Sequence, residues 1–127
     1  MKLALFCTVL LLATRANALT PADAQDEFAS ELAFCASYYS VGAVASENSG
    51  HKEEATKLQP TIRRALELSG KLSSPKKTRA RYELAMQSHV ETFKEEGFAR
   101  LILQYSESCK SALEHPDARL QYWVNQK

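Results

Sequence analysis

The stretch LAFCASYYSVGAVAS, Leu32–Ser46, decides the fold. It sets a cysteine, two adjacent tyrosines and a glycine among small apolar residues. At 100° per residue, Phe28, Leu32, Cys35, Tyr39, Gly42 and Ala43 share one helical stripe. Phe34, Tyr38, Val41 and Ala45 share a second, about 120° away. The combined apolar arc is roughly 200°, wider than the ~100° a helix needs when it packs on one side. The run is too short, and too interrupted by polar residues, to cross a bilayer. It therefore reads as a helix covered on two sides. Cover for the second stripe comes either from the chain's own tail around Trp123 or from outside. An outside cover is a protein partner, a second copy forming a homodimer, or an apolar ligand. Phe34, Tyr38, Val41 and Ala45 are thus a candidate interaction stripe. Ala36, Ser40, Gly42, Ala43 and Ser46 admit a close helix. Gly42 costs up to about 1 kcal/mol against alanine in a helix interior, which close packing would justify. Tyr38 and Tyr39 point about 100° apart and are not expected to line one pocket together.

Upstream, Met1–Lys2, the apolar run LALFCTVLLLA and the small residues of Ala16–Asn17–Ala18 have the pattern of a cleaved secretory signal over residues 1–18. The expected location is periplasmic or extracellular. Residues 19–127 then form a single domain, long enough for one modest core. Two of the 16 basic residues, Lys2 and Arg15, leave with the signal, so 14 basic residues face 15 acidic ones, a charge of −1. Cys7 leaves too. Cys35 and Cys109 remain in an oxidising compartment and are expected to pair. The bridge would close a loop of 74 residues, worth about 4 kcal/mol by chain entropy.

Thr20 and Pro21 open the first helix, which is expected to run to about Glu47. A second, from about His51 to Gly70, is interrupted by Pro60, where a kink or break is expected. Ser74 and Pro75 open a third, carrying Tyr82, Ala85, Met86, His89, Val90 and Phe93 at helical spacing. Gly97 either ends it or sits inside one long helix that reaches His115. From about residue 116 the tail, with Leu120, Tyr122, Trp123 and Val124, is expected to dock on the body. No strand pattern of useful length occurs. The expected fold is all-α, a small bundle of about four helices stapled by one disulfide.

Charge is uneven. Leu19–His51 carries five acids and no lysine or arginine; Lys52–Arg81 carries nine bases against three acids. The densest basic run, KKTRAR at Lys76–Arg81, lies in the first turns of a helix, where positive charge opposes the helix dipole. Lys71, Lys76, Lys77, Arg79 and Arg81 form a candidate anion-binding patch, with an anionic lipid surface among its targets. The plainer reading is that the acidic first helix compensates this run, or that water does. Near-neutral charge, export and the lack of a reader motif argue against nucleic acid.

Enzyme signatures are thin. His51 and Glu54 are spaced to share a metal, but zinc usually takes at least three protein ligands. No metal site, cofactor or catalytic residue is assigned. His89 reads as a core or boundary residue. The sequence thus points to an exported, non-enzymatic helical binding protein. A membrane-surface or anion-binding protein, or a small enzyme whose groups converge only in three dimensions, are the alternatives.

Overall fold

Thr20 starts the first helix as its residue type dictates. Its Oγ1 accepts a hydrogen bond from the Asp23 N–H at 3.1 Å, and Pro21 takes the first helical position. The structure, a computed structural model, describes residues 19–126. The segment read as a secretory signal, residues 1–18, lies outside the described residues. Five helices follow: α1 (Pro21–Asn48), α2 (Lys52–Leu72), α3 (Pro75–Glu96), α4 (Phe98–Glu114) and α5 (Pro116–Val124). All regular structure among the described residues is helical.

The count exceeds the expected four for two local reasons. Gly97 has φ +83°, in the left-handed region that favours glycine, and it separates α3 from α4. Beyond it, Pro116 both stops α4 and opens α5, so the tail is itself helical. Pro60 does not break its helix: α2 runs unbroken through it. Pro60 and Thr56, whose carbonyl loses its helical donor, are both exposed, so water serves that carbonyl.

Helix α1 is the centre, and each of the other four packs on it. Ala24, Ala29, Ala33 and Ala36 are fully buried along it. Their short side chains let α2 lie close over the length of α1. Cys35 and Cys109 stand at disulfide distance with Cα atoms 5.4 Å apart, tying α1 to α4. Gly42 lets the Phe98 ring approach α1 closely: a Cβ there would stand 2.9 Å from the ring tip, so the ring would have to shift.

The middle of the second stripe of α1 is covered from within the chain, while Phe34 and Ala45 at its ends are half-buried. Tyr38 and Val41 are 6% and 4% exposed. Met86, Val90 and Phe93 of α3, and Phe98, Leu101 and Tyr105 of α4, pack over them. The break at Gly97 lets α3 and α4 lie as separate rods on that face. Tyr38 and Val41 therefore do not form an open interaction surface, and the tail does not cover them. Helix α5 instead lies against the other stripe, with Leu120 and Trp123 on the cluster of Phe28 and Leu32. Glu31 fixes it there. One carboxylate oxygen accepts from the Trp123 indole N–H and the other from the Arg119 guanidinium, each at 2.7 Å.

Two stability outcomes follow from this packing. Replacing both Cys35 and Cys109 by alanine removes about 4 kcal/mol of loop-closure stabilisation, and thermal circular dichroism should show the midpoint fall by roughly 15–30 °C. An unchanged midpoint would mean that the bridge does not form. Glu31→Gln leaves the half-buried Arg119 without its counter-charge and should cost about 2–4 kcal/mol. Emission from Trp123, the one tryptophan of the chain, should shift to the red as α5 loosens. Unchanged emission would show that α5 is held by its apolar contacts alone.

Candidate functional site

The basic cluster does not act as one patch. On a helix, residues four apart share a face, so Lys77 and Arg81 of α3 point to one side. That side meets α1, where Arg81 donates to Asp26 at 2.7 Å and Lys77 stands 3.8 Å from the same carboxylate. The Arg81 hydrogen bond holds the Asp26 carboxyl below its ordinary range. This much of the run is compensated by the acidic first helix. Arg79 faces outward and donates to Glu83 one turn on, at 3.1 Å. Lys71 and Lys76 have no carboxylate within 4 Å among the described residues. The five cations thus divide into two that share the single Asp26 carboxylate of α1, one paired along its own helix and two with no carboxylate within 4 Å among the described residues.

Of these two, Lys71 borders a groove between α2 and α3 with a volume of about 690 Å³, and Lys76 does not line it. Leu66, Gly70 and Lys71 of α2 line one wall, with Arg63 and Glu67 beside them; Pro75, Arg79 and Tyr82 of α3 line the other, with Glu83. The helices are joined by a two-residue turn, Ser73–Ser74. Both pack mainly on α1 and touch each other less, which leaves the space between them.

Buried polar ties hold the groove open at a fixed width. Near the turn, the Ser69 hydroxyl donates to the Ala29 carbonyl of α1 at 2.7 Å. It also shares a 2.8 Å hydrogen bond with Thr78 of α3. Farther along, the Tyr82 hydroxyl donates to Ser40 of α1 at 2.9 Å, and Ser40 donates on to the Ala36 carbonyl at 2.8 Å. Hydrogen bonds of this kind are directional where apolar contact is not, so they set the position of the Tyr82 ring. Sequence reasoning missed Arg63, Leu66, Gly70 and Tyr82 as groove residues. The available signal was a glycine inside a helix, on the face of Arg63 and Leu66, just before the basic run.

A second, smaller cavity of about 310 Å³ lies among α1, α2 and α4. Tyr38 and Tyr39 both line it, with their ring centroids 4.9 Å apart. The helical angle between them was expected to keep them apart, but the side chains lean together over Gly42. Burial pushes both phenols above the ordinary tyrosine range, so they act as hydrogen-bonding and apolar groups, not as anions.

His89 is buried, at 1% exposure. Its Nδ1 lies 2.9 Å from the hydroxyl of the fully buried Ser37. Phe34 and Tyr105 flank the ring with centroids at 5.9 and 4.8 Å. Its Nε2 is buried with no hydrogen-bond partner. A serine–histidine pair is a familiar nucleophilic arrangement, but no substrate reaches this one. Phe34, which with Ala45 is a half-buried member of the candidate stripe, packs on the imidazole. Among the described residues no group of three or more His, Cys, Asp or Glu is placed to hold a metal. No helix there is long and apolar enough to cross a membrane. No protein-family model, curated protein or solved structure matches this chain.

The imidazole supplies a pH-dependent outcome. Burial pushes His89 below the ordinary histidine value, about 6.5. The folded state therefore favours neutral His89, and the unfolded chain takes up the proton first as pH falls. The stabilisation is complete above about pH 6.5 and is lost as pH drops from there through the lowered value. Urea midpoints should fall between pH 7.5 and 5, and His89→Gln should flatten that slope. An equal slope in the variant would place the pH dependence elsewhere.

Proposed function

We propose that the protein is an exported, non-enzymatic binding protein and that it works through the groove between α2 and α3. One observation carries the reading: a groove of about 690 Å³ with walls fixed by hydrogen bonds to α1. Small-molecule sites are mostly concave, largely apolar and pre-formed, with volumes of about 300–1,000 Å³. Tyr38 and Val41 of the alternative surface on α1 are buried beside α3 and α4, and the Ser37–His89 pair is buried too. Export is supported by the apolar run at Leu3–Ala13 and by a cysteine pair at bonding distance.

A membrane-surface role is the second reading, favoured by Lys71 and Lys76, which have no carboxylate within 4 Å among the described residues. It predicts a different pattern of loss.

Gly70 provides the test. A Cβ there would meet nothing closer than the Pro75 backbone at 4.0 Å. Gly70→Leu should therefore fold, gain up to about 1 kcal/mol in helix propensity, and fill the groove. A neutral solvatochromic dye such as Nile red should bind the purified exported protein saturably at one per chain, with blue-shifted emission. Gly70→Leu should weaken it more than about tenfold while the thermal midpoint holds or rises. Equal binding by both proteins, or none by either, would exclude the groove. Attachment to anionic vesicles that survives Gly70→Leu but is lost in Lys71→Glu/Lys76→Glu would favour the membrane-surface reading.

A further inference from the structure

We infer, on the reading that the groove is the binding site, that its ligand is a single-chain amphiphile with one negative charge, taken from solution. The apolar chain would lie along Leu66, Gly70 and Tyr82, and the anionic head would meet Lys71 or Arg63.

The glycine is the first argument. At Gly42 the missing side chain makes room for the protein's own Phe98, whose ring tip would stand 2.9 Å from a Cβ. At Gly70 no side chain among the described residues comes within 4 Å of where a Cβ would stand. The residue is helical, its φ is not positive, and only the Pro75 backbone approaches, at 4.0 Å. Alanine would be the more stable choice there by up to about 1 kcal/mol. What the glycine preserves is empty volume in the groove.

The walls are the second. The Leu66 side chain, the face of Tyr82 and the Pro75 ring offer little to hydrogen-bond. The Tyr82 hydroxyl is already bound to Ser40, and the Thr78 hydroxyl to Ser69. Among the described residues the one orphaned buried side-chain polar atom is His89 Nε2, which does not line the groove. The floor therefore suits methylene groups, with no unmet polar demand of its own.

The rim is the third. Arg63, Lys71 and Arg79 face Glu67 and Glu83 around the opening, an excess of one positive charge. Arg79 is engaged by Glu83. Arg63 and Lys71 have no carboxylate within 4 Å among the described residues. They stand eight residues apart on α2, about 12 Å along its axis, so either end of the groove can hold a head while the chain fills the middle. Glu67 between them disfavours a second negative charge. A neutral apolar ligand leaves both cations unused.

The test compares dodecanoate, below its micelle concentration, with dodecanol of the same chain length, each displacing Nile red from the purified exported protein. Dodecanoate should bind at one per chain and at least about tenfold more tightly than dodecanol. Arg63→Gln/Lys71→Gln should reduce that preference to within about twofold while leaving dodecanol binding unchanged, and rising salt should shrink it. Gly70→Leu should abolish both. Equal affinity for the two compounds in the parent protein would overturn the anionic head and leave the groove reading standing. Binding of anionic vesicles without binding of free dodecanoate would overturn the dissolved single-chain ligand. Failure of Nile red and of both compounds to bind would overturn this inference and the groove reading together.

Discussion

Helix α1 has no free face through its middle, and the rest of the molecule is arranged to cover it. An apolar arc of roughly 200° cannot be buried by one neighbour. Four helices are therefore placed around a single rod, each packing on α1 in preference to its neighbours. Rods laid around a thin, alanine-rich centre do not close fully against one another. Gaps between outer helices are a consequence of this architecture. What separates the α2–α3 gap from the others is the chemistry of its walls.

Apolar contact alone would leave each outer helix free to slide along α1, and a small set of buried or half-buried polar bonds removes that freedom. Ser69 ties α2 to the Ala29 carbonyl, Ser40 holds Tyr82 of α3, Ser37 meets His89 of the same helix, and Glu31 grips Arg119 and Trp123 of α5. The disulfide does the same for α4. Each outer helix thus has at least one directional link to the centre. Leaving any one half-made costs about 1–3 kcal/mol. The His89 Nε2 shows that the chain tolerates one such cost, on the side where Phe34 and Tyr105 close over it.

Features written in a few adjacent residues were legible in the sequence. Thr20–Pro21 and Ser74–Pro75 begin helices where their types say they should, and the two-cysteine count led to the right pair. Gly97 was ambiguous because glycine is permitted either inside a helix or at its end; only its positive φ, set by how α3 and α4 both reach α1, resolves it. Pro60 misled because the rule against helix prolines assumes that the freed carbonyl has nowhere to go, whereas here it faces water. The cover of Tyr38 and Val41 could not be read at all, since it depends on residues about fifty positions away. The division of the basic run was readable in principle. Lys77 and Arg81 share a face that Arg79 does not, and periodicity applied to charge as well as to apolar residues would have separated them.

That division also decides where the positive charge acts. Asp26 and Glu31 are the two acids of α1 that meet arginines from elsewhere in the fold, Arg81 and Arg119. Both arginines are pulled inward and partly desolvated, so their charge is spent on tertiary structure and hardly felt outside. Among the described cations without a carboxylate within 4 Å, Arg63 and Lys71 line the groove between α2 and α3. A chain of nearly balanced total charge thereby presents a local excess of one positive charge around the groove. Because effective interaction between exposed charges fades beyond a Debye length of about 8–10 Å, it is this local excess, and not the net charge, that an approaching anion meets. The acidic first helix thus draws Arg81 and Arg119 into the fold, while Arg63 and Lys71 stay at the rim of the groove.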